Sequence, residues 1–337
     1  MKVSIVCPFY NEEAIIVAAT MRMIANLNSQ IEDWELILVN DGSRDRSLEM
    51  LKAALGAGDK RVRVISCPVN QGRGRALKNG IDAAKGAIVI TTEADCSWGD
   101  DIVRRLRDEL ISYPGTHFVI ASPHLPGGGL MNVPLRRRLL TAIGNRLIRM
   151  FFMSKVTMNT GMTRAYWRDV IQPLEVWEDG KEFHLEVLLK LINLGFRVRE
   201  IPAVITWQEH KLAAPGTAKR VSSTRIFKTI GTHLRFLAIA KPTQYFAVLA
   251  IGSLVAGGFF LAWATLNLIR GGPAVYLAIV GLFMMVFSLL FAGFSVFFVK
   301  LGETMREQWL APYRTLGKSI PPSILPATQV FPEAQDR

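Results

Sequence analysis

Two carboxylates two residues apart, Glu93 and Asp95, directly follow an apolar segment that has the length of a buried strand. Carboxylates that leave the end of a strand at this spacing can converge on one hard divalent cation, which can also hold phosphate oxygens. Acidic residues in a turn are more often solvated or cap the next helix. The pair therefore predicts a metal site only in combination with other polar residues.

Three further polar clusters follow strand-like segments: Tyr10-Asn11-Glu12, Asp41-Gly42-Ser43 and the run 70–75. Asp41 can accept hydrogen bonds from a base or a ribose. Gly72 and Gly74 permit the backbone to approach a ligand closely. Arg73 and Arg75 add positive charge beside them. Together these residue types are suited to binding a phosphorylated nucleoside.

Strand-like and helix-like segments alternate through the first 122 residues. Predicted strands cover 3–7, 34–40, 62–66, 87–92 and 117–121, and predicted helices cover 12–27, 45–55, 73–84 and 102–112. This alternation predicts an α/β domain with a mainly parallel sheet and helices on both faces. Because ligands in such sheets bind beyond the carboxyl ends of the strands, we expect the polar clusters to meet at one edge.

Two long apolar stretches, 245–269 and 274–299, contain no charged residue. Each exceeds the roughly 20 residues that a helix needs to cross a bilayer core. The short connection predicts an antiparallel hairpin, and its basic outer flanks are expected to stay in the cytoplasm. The sequence thus predicts a protein that crosses a cell or ER-type membrane twice, with its N-terminal domain on the cytoplasmic side. A buried hairpin in a soluble core is the less favoured alternative, because such uncharged stretches are rare there.

Three segments beside these parts have distinctive compositions. Residues 222–240 have the pattern of an amphipathic helix in the lipid headgroup region, or of a helix packed on the N-terminal domain. Residues 134–153 alternate arginines with apolar residues, which suits either capture of an anionic lipid head or an ordinary packed helix. The tail 302–337 is expected to be cytoplasmic and partly disordered, since prolines accumulate beyond Gly317.

The formal net charge of +12 over 337 residues indicates a chain that meets phosphate groups. Its basic residues cluster beside the apolar stretches without interleaved aromatic residues, so nucleic acid is not an expected partner. The three cysteines, Cys7, Cys67 and Cys96, show no CxxC spacing. This argues against a disulfide framework or a zinc site and favours a reducing compartment.

Taken in order, the motifs of residues 1–220 resemble those of family 2 glycosyltransferases, especially the dolichol-phosphate-mannose and polyprenyl-phosphate-sugar synthases. Each motif alone is modest, and the ordered set is specific. The matching motifs are Pro8-Phe9-Tyr10-Asn11-Glu12, Asn40-Asp41-Gly42-Ser43, Asn70-Gln71-Gly72-Arg73-Gly74, Glu93-Ala94-Asp95, Gly127-Gly128-Gly129, Thr160 with Arg164-Ala165-Tyr166, Glu182-Phe183 with Glu186, Glu200-Ile201-Pro202 and Gly216-Thr217-Ala218-Lys219.

This resemblance implies a Rossmann-like GT-A catalytic domain over 1–220, an amphipathic juxtamembrane helix over 221–241, a transmembrane hairpin over 242–301 and the tail 302–337. It implies metal-dependent transfer of a hexose, with inversion, from a nucleoside-diphosphate sugar to a polyprenyl phosphate of the dolichyl or undecaprenyl type. Hairpins of this kind often self-associate, so a homo-oligomer is among the expected partners.

The resemblance also implies roles for particular residues. Glu93 and Asp95 would hold Mg²⁺ or Mn²⁺ on the diphosphate. Asp95, Arg164 and Lys219 are the expected catalytic residues, with the two cations facing the phosphates of donor or acceptor. The expected donor-binding set is Pro8, Tyr10, Glu12, Asp41, Gly72, Arg75 and Ala94.

Three positions depart from the family pattern. Glu93 stands where the family usually has Asp, Ser97 where a Gln is common, and Ser122-Pro123-His124 where Ser-Arg-Tyr is usual. Two alternatives stay open: another lipid or polysaccharide glycosyltransferase of the family, and a non-catalytic lipid-binding scaffold of the same fold. Trp207-Gln208-Glu209-His210 does not match the Gln-x-x-Arg-Trp motif of processive synthases, and the retained acidic pair argues against the scaffold.

Overall fold

The computed structural model describes residues 1–56, 58–133, 156–206 and 242–316. The chain divides into two compact units, one formed by Met1–Lys219 with Trp309–Arg337 and the other by Arg220–Gln308. Several predictions fall outside the described residues. They are the basic segment 134–153, the juxtamembrane helix 222–240, the tail beyond 316, and the residues Trp207 and Lys219.

The first unit contains a seven-stranded sheet. Its strands are β1 (Val3–Phe9), β2 (Trp34–Asp41), β3 (Val62–Cys67), β4 (Ile88–Thr91), β5 (Phe118–Ser122), β7 (Arg164–Trp167) and β8 (Val198–Pro202). Their spatial order is β3-β2-β1-β4-β7-β5-β8. Only β7 runs antiparallel to its neighbours in this sheet. The predicted mainly parallel α/β sheet is confirmed.

A small second sheet pairs β6 (Gly129–Met131) with β9 (Val204–Thr206) in parallel. In the described residues 1–206, the helices of the first unit are α1 (Ile16–Gln30), α2 (Ser47–Leu55), α3 (Arg73–Ala83), α4 (Ile102–Ser112), α5 (Arg168–Ile171) and α6 (Phe183–Asn193).

Helices cover both faces of the large sheet, so the unit has two apolar cores. Ile5 and Leu38 belong to the core that includes α1 and α4, whereas Val6 and Val39 belong to the core that includes α3 and α6. All eight residues of β2 are buried. A parallel strand that is covered on both sides has a near-continuous apolar sequence, and this explains the uninterrupted apolar run at residues 36–39 of β2.

The second unit consists mainly of two packed helices, α7 (Pro242–Ile269) and α8 (Val275–Leu316). Both are long and apolar enough to cross a membrane by length and composition. Two hydroxyl groups join them: Ser288 Oγ donates to the carbonyl oxygen of Ala250 at 2.8 Å, and Ser295 Oγ to that of Thr243 at 3.0 Å. The two predicted apolar helices are thus confirmed.

Helix α8 continues beyond the predicted end of the hairpin at residue 301, and its last residues belong to the first unit. Tyr313 is only 1% exposed there. Its hydroxyl donates to the carbonyl oxygen of Val170 at 2.7 Å, and its ring lies 5.3 Å from that of Phe196. The first part of the predicted tail is therefore helical and packed.

Candidate active site

The loops that follow β1 and β2 interlock at the carboxyl edge of the sheet. The backbone N–H of Asn11 donates to Ser43 Oγ at 3.0 Å, and the N–H of Arg44 donates to Asn11 Oδ1 at 2.8 Å. The N–H of Glu12 donates to Ser47 Oγ at 2.8 Å. Because neighbouring parallel strands end at one edge, the structure brings the first two polar clusters together. Pro8, Tyr10 and Glu12 are half-buried there.

Asp41, at the end of β2, holds the next polar cluster in place. Its carboxylate is 3% exposed and accepts the backbone N–H groups of Gln71 at 2.9 Å and Gly72 at 3.1 Å. An ionised carboxylate offers about four acceptor positions. Its two internal hydrogen bonds thus leave room for the predicted contact to a base or ribose, which stays a prediction.

Gly72 and Gly74, the two glycines of the third cluster, lie in close contact with another segment of the protein's own backbone. Gly72 has a φ of +104°, and a Cβ atom added to it would overlap the carbonyl oxygen of Asp179. A Cβ atom on Gly74 would lie 2.6 Å from the carbonyl oxygen of Glu178. The N–H groups of Gly74 and Arg75 both donate to Asp179 O, at 2.7 and 3.2 Å. The close approach predicted for a ligand is therefore made by segment 178–180, which caps α3.

Arg75, an expected donor-binding residue, is paired within the protein. Its Nε lies 2.9 Å from Asp179 Oδ1, and both side chains are nearly half exposed. The pair thus adds a side-chain contact to the backbone cap of α3. A screened pair of this kind contributes little to stability, with a median of about 0–1 kcal/mol.

The acidic pair lies directly after β4, with both side chains half-buried. Ser97 orients it: its Oγ donates to Glu93 Oε2 at 2.8 Å, and its N–H donates to Asp95 Oδ1 at 3.0 Å. Cys96, between Asp95 and Ser97, has a φ of +53°, which turns the chain sharply. Ala94 packs against the adjoining apolar core. Ser97, which replaces the family's usual Gln, is thus the residue that fixes both carboxylates.

The two carboxylates of the acidic pair are suitable ligands for a hard divalent cation. Glu93 and Asp95 supply carboxylate oxygens, and Mg²⁺ in proteins is commonly held by one or two carboxylates together with substrate phosphates and water. Among the described residues, no group of three or more His, Cys, Asp or Glu could hold a metal ion by itself. The pair therefore fits a cation whose remaining ligands come from a bound diphosphate.

Arg73 is the cation beside this pair. Its Nε is buried and has no hydrogen-bond partner in the described part of the chain. Burial lowers the pKa of Arg73 from its usual value, while the nearby carboxylates of Glu93 and Glu182 oppose that shift. Arg73 and Arg75 are equivalent charges in the sequence, and only the fold shows that Arg73 lies near Glu93 whereas Arg75 pairs with Asp179.

Arg164 differs from its expected role. The side chain is 0% exposed, and its guanidinium donates to the carbonyl oxygens of Gly161 at 2.7 Å, His184 at 2.8 Å and Asn159 at 2.7 Å. The expectation that it faces the phosphates is not met in this structure. Arg164 instead joins the segment before β7 to the first turn of α6. Lys219, the other expected cation, lies outside the described residues.

Comparisons with known proteins agree with this architecture. The chain is 27% identical over 301 residues to undecaprenyl-phosphate 4-deoxy-4-formamido-L-arabinose transferase of Pectobacterium atrosepticum, covering 89% of this chain and 86% of that protein. It is 26% identical over 211 residues to polyprenol monophosphomannose synthase of Mycolicibacterium smegmatis, covering 61% and 77%.

Among solved structures, glucosyl-3-phosphoglycerate synthase from Mycobacterium tuberculosis, in complex with Mn²⁺ and uridine-diphosphate-glucose, superposes with a TM-score of 0.52. The two share 20% identity, and the match covers 69% of this chain and 78% of that one. This likeness shows the fold, a GT-A-like sheet. Residues 4–174 match the sequence model of Glycosyl transferase family 2. The chain therefore belongs to glycosyl transferase family 2.

Proposed function

We propose that this glycosyltransferase moves a hexose from a nucleoside-diphosphate sugar to a polyprenyl phosphate at the cytoplasmic face of a membrane. The observation that carries the proposal is the acidic pair Glu93 and Asp95, which Ser97 orients, together with Arg73, whose charge interacts with that of Glu93 and whose buried Nε has no partner among the described residues. Carboxylates and a cation at the end of a central strand form a site for a metal-bound diphosphate.

The acceptor is argued from the second unit and from the relatives. Two helices that are long and apolar enough to span a bilayer would keep the catalytic unit beside lipid. Two relatives carry the names undecaprenyl-phosphate 4-deoxy-4-formamido-L-arabinose transferase and polyprenol monophosphomannose synthase. A lipid-linked phosphate is the acceptor that suits both observations.

On the donor side, each part of the site has a role in the proposal. Glu93 and Asp95 would hold Mg²⁺ or Mn²⁺, which when bound neutralises charge on the departing nucleoside diphosphate. Arg73 donates to a diphosphate oxygen through Nε. The loops that carry Tyr10 and Asp41 bind the base and ribose.

On the acceptor side, the phosphate itself is the nucleophile. Its second pKa is near 6, so an ionised oxygen is available at neutral pH without a strong general base. That oxygen forms a bond to the anomeric carbon while the bond from this carbon to the diphosphate oxygen breaks, which inverts the configuration. The protein must hold two anions, the acceptor phosphate and the donor diphosphate, close together. In the proposal, the positive charge of Lys219 helps to offset their repulsion.

The test follows labelled sugar into the organic phase, using a panel of nucleotide-sugars with a short polyprenyl phosphate and Mn²⁺ or Mg²⁺. Asp95→Asn is expected to lower transfer at saturating donor by about a hundredfold or more, the usual effect of losing an electrostatic contact to the transition state. Chelation of the metal should abolish transfer, and added Mn²⁺ should restore it.

The matched control is Asp108→Asn, which removes a carboxylate from a surface ion pair of α4. It should keep wild-type activity. Full transfer by Asp95→Asn would contradict the assignment of the acidic pair, and no transfer to polyprenyl phosphate from any donor would contradict the proposed acceptor.

A further inference from the structure

Two fully buried side chains near the acidic pair carry nitrogen atoms without a hydrogen-bond partner among the described residues. They are Asn159, through Nδ2, and His184, through both ring nitrogens. Asn159 is 1% exposed and His184 is 0% exposed. A buried polar group left unpaired costs about 1–3 kcal/mol, and native proteins carry few of them. Such groups indicate that a partner other than the described residues completes them.

Hydrogen bonds place both residues beside the carboxyl edge of the sheet, where the acidic pair lies. The guanidinium of Arg164 donates to the carbonyl oxygens of Asn159 and His184, so both residues border the same group. Thr92 is the residue before Glu93, and its hydroxyl lies 3.2 Å from that of Thr163, within hydrogen-bond distance. This contact connects the end of β4 to the segment before β7, which includes Asn159. Asn159 and His184 therefore lie near the end of β4.

The first turn of α6 also contacts the first turn of α3. A Cβ atom on Gly74 would lie 2.8 Å from Cβ of Phe183, the residue before His184. Arg73 precedes Gly74 and lies close enough to Glu93, Glu182 and His184 for their charges to interact. His184 thus lies near Arg73, to which the proposed function gives a contact with the diphosphate.

The chemistry of the imidazole identifies the class of group it would bind. Burial, and then the charges of Arg164 and Arg73, lower the pKa of His184 well below its usual value. A neutral imidazole has one donor and one acceptor nitrogen. A phosphate without protons can only accept, so it would satisfy one nitrogen and oppose the other. A hydroxyl group both donates and accepts, and a sugar ring offers several.

We propose that His184 and Asn159 are specificity-determining residues that form hydrogen bonds with hydroxyl groups of the sugar to be transferred. The inference rests on the proposed function and adds the sugar subsite to it. His184 lies close to Arg73 and Arg164, and Asn159 belongs to the segment before β7 that Arg164 joins to His184. In the proposal, a sugar attached to the diphosphate lies beside these two side chains. Recognition through buried polar groups discriminates strongly, because an analogue without the hydroxyl leaves them unpaired.

Calorimetry on the full-length chain in detergent, with Mn²⁺, separates the sugar contribution from the nucleotide contribution. UDP with UDP-glucose and GDP with GDP-mannose are titrated, and the pair that the wild-type chain binds is kept. His184→Leu and Asn159→Leu are expected to weaken binding of the nucleotide-sugar by about tenfold each, since one hydrogen bond is worth about 1.4 kcal/mol in such a comparison. Binding of the nucleoside diphosphate alone should not change.

His184→Gln, which keeps a donor and an acceptor, should retain most of the nucleotide-sugar affinity. The melting temperature of the ligand-free variants should stay equal or rise, because replacing an unpaired buried polar group by an apolar one removes its desolvation cost. A lowered melting temperature of His184→Leu would show an internal structural role and overturn the inference.

Two other results separate this inference from the proposed function. Wild-type affinity of both leucine variants for the nucleotide-sugar, with the nucleoside diphosphate still bound, would overturn the sugar subsite and leave the proposed function standing. Failure of the wild-type chain to bind either nucleoside diphosphate or its sugar ester would overturn both.

Discussion

Arg164 is a fully buried cation whose partners are backbone carbonyl oxygens. Arg164→Met should lower the free energy of unfolding of the first unit by about 3–5 kcal/mol, because three buried carbonyl groups lose a charged donor. Thermal and urea unfolding measure this loss. Arg104→Met is the control: it removes an arginine with 43% side-chain exposure from α4 and should cost no more than about 0.5 kcal/mol.

A second substitution, Arg164→Lys, tests the role that the family resemblance implied for Arg164. If Arg164→Lys unfolded like the wild-type chain but raised the KM for the nucleotide-sugar, the residue would contact phosphate as the family resemblance implies. A structural role predicts the reverse, with lowered stability and an unchanged KM in the folded fraction.

The residue scale is where prediction from sequence reaches its limit. The acidic pair and its strand could be predicted, because an apolar run followed by two carboxylates is a local pattern. Which of Arg73, Arg75 and Arg164 lies near Glu93 could not be predicted, because three guanidinium groups are alike in sequence. Their difference comes from distant partners: Asp179 for Arg75, and the carbonyl of His184, among others, for Arg164.

At the scale of elements, the first five strands could be predicted to within one or two residues. Continuous apolar runs such as β2 have one interpretation when they alternate with amphipathic helices. The antiparallel strand β7 was not predicted, because it has four residues and begins with a charged one. Its place between β4 and β5 depends on pairing with residues about 44 to 79 positions away, which no local pattern encodes.

The first turn of α3 depends on the close approach of segment 178–180. Gly72→Ala should destabilise the first unit by about 3 kcal/mol or more, for two reasons. The residue has a positive φ, which alanine disfavours, and the added Cβ would overlap the carbonyl oxygen of Asp179. Gly56→Ala is the control for backbone strain alone, since Gly56 also has a positive φ and no neighbouring atom within 4 Å. That change should cost about 1–2 kcal/mol. Equal melting temperatures of the two variants would contradict the steric argument.

A buried ion pair on α6 holds the segment that caps α3. Oε1 of Glu186 lies 2.6 Å from Nζ of Lys190, and each residue is 4% exposed. The carboxylate accepts the N–H groups of Trp177 and Glu178, and the ammonium donates to the carbonyl oxygen of Glu175. Because Asp179 follows directly, this pair positions the cap and, through it, Arg73.

Glu186→Gln and Lys190→Met should each lower the free energy of unfolding by about 3–5 kcal/mol, because one buried charge loses its partner. The double variant should cost clearly less than the sum, which a double-mutant cycle from urea unfolding measures. The same cycle on the exposed pair Arg22 and Asp100 is the control and should give a coupling of at most about 1 kcal/mol. Additive effects at Glu186 and Lys190 would contradict the proposed coupling.

At the scale of the whole chain, hydropathy predicted the two apolar helices but not the length of α8. Its 42 residues extend over roughly 60 Å at about 1.5 Å per residue, twice the hydrocarbon thickness of about 30 Å. Hydropathy reports which residues suit lipid and carries no signal for where a helix ends. The last turns of α8 are helical because Trp309 and Tyr313 pack into the first unit, which local composition does not reveal.

The packing of α7 against α8 gives a prediction whose sign is diagnostic. Gly281→Ala places a Cβ atom 2.7 Å from Cγ of Leu261 and 3.0 Å from its backbone nitrogen, so the two helices must separate. Gly252→Ala has no atom within 4 Å of the new Cβ and should be neutral or stabilising, because alanine favours a helix over glycine by about 1 kcal/mol. To compare the two variants, the full-length chain is titrated with dodecyl sulfate, and the helical circular dichroism signal gives the detergent concentration at the midpoint of unfolding. Only Gly281→Ala should shift the midpoint to lower detergent concentration. A rise in stability in both variants would show that the helices do not contact each other through Gly281.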